Sequence, residues 1–347
     1  WQQKRGRHKA SICAYNQNAA FGSRSEAGLK TTVVIPNYNG KKYLSDCLKS
    51  LEAAEKERPA VIVVDNGSSD GSAQEAREMF PWIRLIRFPE NRGFDAAVNE
   101  GIRESRTPYV FLLNNDTVVR PGCISALEAR MEREKKLFSV SARMVDLKNP
   151  EIMDGAGDLY SALGWAYAIG KGKPAARYEK SRSVFSACAG AALYRKSALE
   201  RTGAFDELHF AYLEDVDIGY RARILGLTNA YEPSAVVLHA GSATSGSRYN
   251  EFKIRYSARN NVYLIYKNMP PLQLLLNSPF LAAGFLVKAL FFLKKGHGGT
   301  YLKGLKEGLR LCASAEGGAR RVRFKGRNLG NYIRIQLELW VNMFRRI

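Results

Sequence analysis

Four short apolar segments of this chain each end abruptly in polar residues, and this repeat constrains the fold more than any other feature. The segments are TTVVIP, VIVVD, IRLIRF and YVFLLN, at residues 31–36, 61–65, 83–88 and 109–114. Stretches with helical periodicity separate them, at residues 44–54, 72–80 and 94–104. This alternation predicts an α/β fold with a doubly wound, mostly parallel sheet of the Rossmann type and helices on both of its faces.

Polar clusters follow the four strands at the places where such a sheet binds ligands. They occupy residues 37–40, 65–71, 90–93 and 114–116. Ligands of open α/β sheets bind beyond the carboxyl ends of the strands, where these clusters would meet. Stability alone does not require four polar strand ends, so the sequence predicts a binding site at this edge.

Asp65 follows four apolar residues at the end of the second segment. A carboxylate there can accept hydrogen bonds from a base or from ribose hydroxyls, and the glycines behind it let the backbone approach a ligand. The alternative is a cap for the next helix, but Asp70 and Ser72 are better placed for that role. The sequence therefore favours ligand contact at Asp65.

Asn114 and Asp116 are two residues apart at the end of the fourth segment. If the strand continued, both would point to one side, and such an oxygen pair suits Mg²⁺ or Mn²⁺. A turn rich in Asn and Asp is the competing interpretation. His239 ends a further predicted strand at 235–240, where it could reach a metal or a diphosphate or serve only the structure.

Glu214 and Asp215 begin the segment AYLEDVDIGYRARILG, which predicts a helix within residues 211–226. The helix dipole favours acidic residues in the first turn, which is a purely structural explanation. The aromatic residues before them, including Tyr212, indicate a partly dry setting in which a carboxylate could act as a general base.

Four further residues are candidates for the acceptor or diphosphate side of the site. Arg248, Arg255 and Arg259 interleave with aromatic residues, and this pattern could bind phosphate groups or form a solvated helix face. Trp165 lies in a predicted hairpin or mobile loop at 155–170.

Six segments, in this order and spacing, resemble the family 2 inverting glycosyltransferases, and most of all the rhamnosyltransferase branch that builds bacterial polysaccharides. They are TTVVIPNYNG, VIVVDNGSSDGS, ENRGFDAAVNEGI, YVFLLNNDTVV, FDELHFAYLEDVDIGYRARILG and VVLHAGSATS. The resemblance covers residues 31–265, roughly two thirds of the chain. It implies a GT-A fold and a sugar-nucleotide donor.

By this resemblance, eight residues line or adjoin the donor nucleotide: Pro36, Tyr38, Asn39, Asp65, Asn91, Gly93, Asn99 and Asn115. Asp116 would be the main protein ligand of Mg²⁺ or Mn²⁺, with Asn114 and His239. Asp215, beside Glu214, would be the catalytic base.

The chain departs from the family pattern at two positions. Asn114 stands where many relatives have Asp, and Asp95 stands where small residues are usual. A carboxylate at Asp95 would be unfavourable near a diphosphate unless it faces away.

The resemblance implies inverting transfer of L-rhamnose from dTDP-rhamnose to a glycan or a polyprenyl-diphosphate-linked acceptor, in the synthesis of bacterial cell-surface polysaccharide. A UDP- or GDP-sugar donor on the same fold is the alternative. A basic nucleic-acid-binding protein is the competing class, raised by a formal net charge of +20. The excess charge is terminal, lies beside apolar segments and carries no recognition motif, so we expect no nucleic-acid partner.

Charge also divides the chain into three parts. Residues 1–30, a candidate flexible arm, hold 6 Lys and Arg against 1 Asp and Glu, and residues 270–347 hold 14 against 3. Residues 31–269 form the predicted catalytic domain. We expect the basic ends to meet an anionic surface.

The C-terminal part predicts a basic, amphipathic, membrane-associating helical extension. Its most apolar segment is residues 272–293, and the best stretch within it, residues 279–293, includes Lys288. As a helix this stretch would span about 22 Å, short of a hydrocarbon core of about 30 Å. An interfacial helix on the inner face of the bacterial plasma membrane fits better than a spanning one. The alternatives are packing on the catalytic domain or on a second copy, as a homodimer. The five scattered cysteines favour a reducing, cytoplasmic location.

Overall fold

The structure is a computed structural model, and it describes residues 29–241 and 250–345. The first part alternates strands and helices: β1 (Thr31–Asn37), α1 (Leu44–Ala53), β2 (Ala60–Asn66), α2 (Ser72–Met79), β3 (Arg84–Phe88), α3 (Phe94–Glu104) and β4 (Tyr109–Leu113). Strands β4, β1, β2 and β3 lie side by side and run parallel. The predicted boundaries of these seven elements are confirmed to within one residue.

The second part extends the sheet and makes it mixed. Its elements are β5 (Thr117–Val119), α4 (Cys123–Arg133), β6 (Leu137–Asp146), β7 (Met153–Gly155), β8 (Asp158–Tyr160), β9 (Ala166–Ala168), β10 (Arg182–Val184), β11 (Ala191–Arg195), α5 (Lys196–Thr202), α6 (Glu214–Ile224) and β12 (Thr228–His239). The strand order is β10-β12-β6-β11-β4-β1-β2-β3, and β11 runs antiparallel to both neighbours. The hairpin predicted at 155–170 is confirmed as β8 and β9.

Both faces of the sheet are covered, as the doubly wound prediction requires. Val33 and Ile35 of β1 point into a core shared with α1 and α4. Val34, between them, points into the opposite core, shared with α3. This alternation follows from the period of two along a strand, and the continuous apolar run follows from burial on both faces.

The short strand β5 brings two distant segments of the chain together. After Asp116 the chain leaves β4 and pairs antiparallel with the end of β12, where Thr117 lies opposite His239. The backbone N–H of Ala240 donates to the carbonyl of Asp116 at 3.0 Å. Strand pairing therefore fixes His239 beside the polar end of β4.

The C-terminal part is helical: α7 (Glu251–Asn268), α8 (Pro271–Lys294), α9 (Gly298–Ala313), α10 (Ala315–Ala319) and α11 (Leu329–Phe344). Tyr332, Ile335 and Leu339 of α11 share a core with Phe185 and Tyr220 of the sheet domain. The alternative that these helices pack on the catalytic domain is therefore correct for one face of α8 and α11.

Helix α8 is longer than its most apolar stretch predicts, because it runs for 24 residues. Among the residues that the structure describes, it is the one helix long and apolar enough to cross a membrane. Its buried stripe includes the polar Gln273 and Asn277, while leucines such as Leu275 and Leu290 are exposed. This distribution is the reverse of that of a helix on a water-soluble protein.

Candidate active site

The candidate active site begins where β1 and β4 separate, at the switch point of the sheet. Asn37, fully buried, donates to Asp65 at 3.2 Å and to Ser72 at 2.9 Å. Asn115 donates from its amide to Asn37 at 2.8 Å. Open α/β sheets bind ligands at such a point, and these hydrogen bonds fix the three strand ends that form it.

Asp65 is fully buried and lies 3.3 Å from Nε of Arg87, the next strand's half-exposed arginine. Asn39 adopts a left-handed conformation, with φ of 50°, and its amide oxygen accepts from the N–H of Ser69 at 2.9 Å. Tyr38 is exposed beside it, and Pro36 lies in β1 opposite Val64. An exposed ring beside a buried carboxylate is a shape that could hold a nucleoside.

The third predicted loop joins this network through Asn66. Its amide donates to Asn91 and to the carbonyl of Gly93, both at 3.0 Å. Gly93 has φ of 89°, and a Cβ there would lie 2.7 Å from the ring of Phe210. Glycine is therefore required at 93, because the loop presses against the segment that leads to the acidic pair.

Asn99 takes a different position from the one that the resemblance implies. Its amide donates to the carbonyl of Phe205 at 2.9 Å and to Glu207 at 3.1 Å, and its oxygen accepts from the N–H of Phe205. All of its polar atoms thus bind the 205–207 segment. Its part in a donor site stays a prediction.

Asp116, His239 and Asp154 form the second group of the site. Nε2 of His239 lies 3.2 Å from Oδ1 of Asp116, and its Nδ1 lies 2.8 Å from Oδ2 of Asp154. Burial alone would lower the pKa of His239, but its hydrogen bonds to the two carboxylates outweigh burial and raise that pKa to about 9. Burial also opposes ionisation of Asp154, yet His239 and Lys171 hold the pKa of Asp154 well below its usual range.

The donor set of this group fits a divalent cation. Two ligands on adjacent positions of an octahedral Mg²⁺ lie about 3 Å apart, since each bond is about 2.1 Å. In the structure the 3.2 Å between Asp116 and His239 is a hydrogen bond from the protonated ring, so a cation would bind by displacing the proton on Nε2, at a similar spacing of the two ligand atoms. A histidine that binds a metal usually donates its other nitrogen to a carboxylate, which is the place of Asp154. The side chain of Asn114 lies against Gly190, the residue just before β11.

Glu214 and Asp215 form the third group, at the first turn of α6. Three residues just before them have left-handed backbones, with φ of 66° at Phe210, 73° at Tyr212 and 68° at Leu213. Such a conformation costs roughly 1–2 kcal/mol for each residue other than glycine. The acidic pair is thus presented by a strained turn that the rest of the fold must hold.

The two acids differ in proton affinity. Burial and the neighbouring Asp215 raise the pKa of Glu214 to about 8. Burial also raises the pKa of Asp215, but hydrogen bonds from the N–H groups of Val216 and Ala189 limit this pKa to about 6. Near pH 7, Glu214 is therefore mostly neutral and Asp215 mostly ionised, which is the division expected between a carboxylate base and its neighbour.

One short segment, residues 188–190, connects Asp215 with the strand end that bears the candidate metal ligands. The N–H of Ala189 bonds to Asp215, and the carbonyl of Gly190 accepts from the N–H of Asn114 at 2.9 Å. Ligand atoms of Asp158, Cys188 and Asp215 all lie within 4.8 Å of one another. Burial and the charge of Asp215 raise the pKa of Asp158 well above its usual range.

Asp95, the unusual acid of the sequence, is fully buried on α3. Neither of its carboxyl oxygens has a hydrogen-bond partner among residues 29–241 and 250–345. Burial and the neighbouring Glu214 raise the pKa of Asp95 well above its usual range. Because its raised pKa opposes ionisation, Asp95 avoids the unfavourable negative charge that an ionised carboxylate would add near a diphosphate.

The candidates for the acceptor side are placed less favourably. Arg255 makes a two-pronged ion pair with Glu307 of α9, with both N–O distances at 2.6 Å. Arg259 donates to Asn260 at 2.8 Å, and Trp165 donates to the carbonyl of Gly284 in α8 at 3.1 Å. These three side chains therefore have protein partners, and their contact with substrate stays a prediction. Arg248 lies outside the described residues.

Two residues of the site escaped sequence reasoning. Asp154 lies in a segment without clear periodicity, and Asn260 is an interior position of α7 that resembles any polar residue of a helix. Their contacts join positions 85 and about 50 residues apart. A buried Asn within the helical pattern and an Asp before Gly155 were the available signals.

Comparison with solved structures defines the class of fold. GalNAc-T7, solved with UDP, GalNAc and Mn²⁺, superposes with a TM-score of 0.56 at 14% identity, over 70% of this chain and 48% of that one. A mannosyltransferase from Pyrobaculum calidifontis, solved with GDP-Man and Mn²⁺, gives 0.51 at 16% identity, over 89% and 84%. The fold is that of the GT-A glycosyltransferases.

Sequence comparison identifies the family. Residues 32–203 match the family described as Glycosyl transferase family 2. The chain is 30% identical over 238 residues to the N-acetylglucosaminyl-diphospho-decaprenol L-rhamnosyltransferase of Mycobacterium tuberculosis (strain ATCC 25618 / H37Rv), an alignment that covers 62% of this chain and 77% of the relative. It is 25% identical over 240 residues to the poly-beta-1,6-N-acetyl-D-glucosamine synthase of Staphylococcus aureus (strain COL), covering 67% of this chain and 55% of that protein. The chain belongs to glycosyltransferase family 2.

Proposed function

We propose that this glycosyltransferase inverts configuration as it transfers L-rhamnose from dTDP-L-rhamnose to a polyprenyl-diphosphate-linked sugar. The observation that carries the proposal is the position of the acidic pair, because Glu214 and Asp215 begin α6 and the segment 188–190 links Asp215 to the strand end that bears Asp116. The similarity to the mycobacterial rhamnosyltransferase supports both the sugar and the lipid-linked acceptor.

On the donor side, Asp65 accepts hydrogen bonds from the nucleoside, and the exposed ring of Tyr38 packs on its base. Asn37 and Asn115 hold the loops around this place in position. The half-exposed Arg87 forms an ion pair with the buried Asp65 and so stabilises that carboxylate before the nucleotide binds.

The residues that would hold Mg²⁺ or Mn²⁺ are Asp116 and His239, with Asn114 beside them. When bound, the cation neutralises negative charge on the diphosphate leaving group. Asp154 orients His239 by accepting its Nδ1 proton, and Lys171 fixes Asp154 at 2.5 Å. The Mn²⁺ in the two solved relatives supports this assignment.

On the acceptor side, Asp215 takes the proton of the hydroxyl that attacks. That oxygen approaches the anomeric carbon from the face opposite the nucleotide, so configuration inverts. Glu214 stays protonated and therefore adds no second negative charge to the attacking oxygen's surroundings. Glu214 is buried and Asp215 is partly exposed, so the acceptor hydroxyl can reach Asp215 while its neighbour is shielded from water.

The exposed leucines of α8 support contact of the enzyme with the membrane that would carry its acceptor. One stripe of α8 packs on the protein, and a Cβ at Gly284 would lie 2.0 Å from the carbonyl oxygen of Leu163. Because α8 is attached to the protein along this stripe, the proposal has it lie in the membrane interface with its exposed apolar face in lipid. The Lys and Arg residues of the C-terminal part attract anionic head groups.

Calorimetry with nucleotide diphosphates tests this proposal. We expect dTDP to bind in the presence of Mn²⁺ or Mg²⁺, to bind weakly in EDTA, and to lose the metal-dependent part in Asp116→Ala. Asp154→Asn should weaken Mn²⁺ binding by about 10–100-fold, because the carboxylate of Asp154 orients the proposed metal ligand His239 without binding the metal itself.

Each arm of the experiment has a definite consequence. Preference for UDP or GDP would keep the site and replace the sugar. Equal binding with and without metal would refute the role of Asp116, and no nucleotide binding to folded protein would refute the donor site. Asp46→Asn, at an exposed carboxylate of α1, is the control that should change none of these values.

A further inference from the structure

The turn that presents the acidic pair has a strained backbone, which needs contacts from other parts of the protein to keep its conformation. Phe210, Tyr212 and Leu213 all have positive φ, and none of them is a glycine. Side chains rarely adopt this conformation unless the surrounding structure imposes it. Contacts from outside the turn must therefore supply what keeps Asp215 in place.

Asn260 of α7 supplies the largest set of such contacts. Its side chain is fully buried, and its amide nitrogen donates to three carbonyls of the turn: His209 at 2.9 Å, Ala211 at 2.8 Å and Tyr212 at 2.8 Å. Arg259 donates to the amide oxygen of Asn260 at 2.8 Å, which orients the amide toward the turn. One amide group thus binds three carbonyls of a strained backbone, of which that of His209 also accepts from the N–H of Ala211 at 2.8 Å and from Arg259 at 3.3 Å.

The opposite side of the turn rests on the donor loop. The N–H of Phe94 donates to the carbonyl of Phe210 at 2.7 Å, and Gly93 lies against the ring of Phe210. The turn therefore lies between α7 and the loop that carries Asn91. From the α7 side, Phe252 and Tyr256 pack against its rings and Arg259 donates to the carbonyl of His209, but Asn260 binds three of its carbonyls.

We propose that Asn260 is a positioning residue for catalysis: by binding the 209–212 carbonyls it sets where Asp215 meets the acceptor hydroxyl. This inference rests on the proposed role of Asp215 as the base. It assigns to α7 a catalytic contribution without contact with substrate. Loss of the amide should move the base while leaving the donor site, which other residues build, intact.

The test compares two buried asparagines of the same helix. Asn268 is also buried, and its amide donates to Asp217 at 2.8 Å and to the carbonyl of Leu264 at 3.1 Å, but it makes no contact with the turn. Asn260→Ala and Asn268→Ala each remove a buried amide from α7. They therefore differ chiefly in whether the turn loses its partner.

We expect Asn260→Ala to lower kcat for transfer from dTDP-L-rhamnose to a short-chain polyprenyl-diphospho-N-acetylglucosamine by about 100-fold, as misplaced catalytic groups do. Its KM for donor should stay within about threefold of the wild type, which separates positioning from binding. Asn268→Ala should keep kcat within about threefold of the wild type, and the two variants should have similar melting temperatures. Equal losses of kcat in the two variants would overturn the proposal.

Hydrogen exchange provides a readout that needs no activity. The backbone amides of residues 210–216 should exchange about tenfold faster in Asn260→Ala and at the wild-type rate in Asn268→Ala. Unchanged exchange in Asn260→Ala would refute the proposal even if no sugar donor were found. Should Asn260→Ala not fold, Asn260→Gln keeps an amide but displaces it by one methylene, and full kcat in that variant would equally refute the proposal.

Asp215→Asn separates the two proposals. If this variant loses transfer while Asn260→Ala retains it, the base assignment stands and the positioning role fails. If Asp215→Asn keeps full activity, the base assignment fails, and the exchange data alone decide whether Asn260 holds the turn.

Discussion

At the scale of single residues, the site depends on two neighbouring carboxyl groups that differ in protonation. Glu214 and Asp215 share a helix turn, and both accept hydrogen bonds from backbone N–H groups. The negative charges of Asp215 and Asp217 raise the pKa of Glu214 further, so Asp215 keeps the lower pKa. Burial alone would leave both acids neutral and deprive the site of a base.

The pH dependence of transfer follows from this difference. Asp215 acts as a base only when ionised, and its pKa is raised to about 6, so kcat should fall about tenfold per pH unit below that value. Asp215→Asn should reduce kcat by about 10²–10⁴-fold at pH 7.5, with donor binding retained. The measurement is kcat at saturating substrates between pH 5 and 8. A wild-type rate that stays constant down to pH 5 would contradict the assignment.

Individual site residues could be predicted where they follow a strand, and not where they depend on the fold. Asp65 and Asp116 end apolar segments, which is a local signal in the sequence. The meeting of His239 with Asp116 depends on β5, a strand of three residues whose stability comes from its pairing with β12. Asp154 has no local signal, because only the paired strands bring it to His239.

At the scale of secondary structure elements, local pattern predicted the whole parallel half of the sheet and only part of the mixed half, where it indicated α6, the end of β12 and the β8–β9 hairpin but missed the shortest strands. Strands β1 to β4 are buried on both faces, so each appears as an apolar run between turn residues. Strands β5 and β10 have three residues each, too few for a period of two to be visible. Helix α8 matches the apolar segment 272–293 to within one residue at each end, but its uninterrupted apolar stretch is shorter because Gln273 and Asn277, both on its buried face, lie near its start.

The joint between α6 and α7 is a buried ionic network, and its central member is Lys267. Its ammonium group lies 2.6 Å from Asp206 and 2.8 Å from Asp217, and all three side chains are buried. Lys267→Met would leave both carboxylates without this cation, so we expect the free energy of unfolding to fall by roughly 3–5 kcal/mol. Urea unfolding at pH 7 measures this value.

The matched control for Lys267 is Lys49→Met. Lys49 lies 4.0 Å from Asp46, and both side chains are mostly exposed. A surface pair contributes about 0–1 kcal/mol, so this variant should unfold almost as the wild type does. A similar small loss in Lys267→Met would show that Arg221 and Arg320 alone satisfy the two carboxylates, and the network would not depend on the lysine.

At the scale of the whole molecule, the protein has the candidate active site at one edge of the sheet and an exposed apolar face that is unusual for a water-soluble protein. The edge lies at the carboxyl ends of β1, β2 and β4. The apolar face lies on α8, where polar residues are buried and leucines are exposed. Water would penalise this arrangement, because a large exposed apolar patch normally marks an interaction surface. The lipid-linked acceptor proposed above would give a transferase a use for both.

The apolar face predicts binding to anionic membranes through α8. Leu275, Leu286 and Leu290 are 69%, 59% and 57% exposed, and replacing all three with Asp should weaken binding to phosphatidylglycerol-containing vesicles by about tenfold or more. Met79→Asp, at an exposed apolar residue of α2, should bind as the wild type does. Vesicle sedimentation measures both. Phosphatidylcholine vesicles should bind the wild type more weakly, because they do not attract the basic C-terminal part.

Two outcomes would contradict this prediction. If the triple variant still binds vesicles, the membrane contact does not involve α8. If the wild type forms dimers and does not bind vesicles, this face of α8 contacts a second copy of the chain.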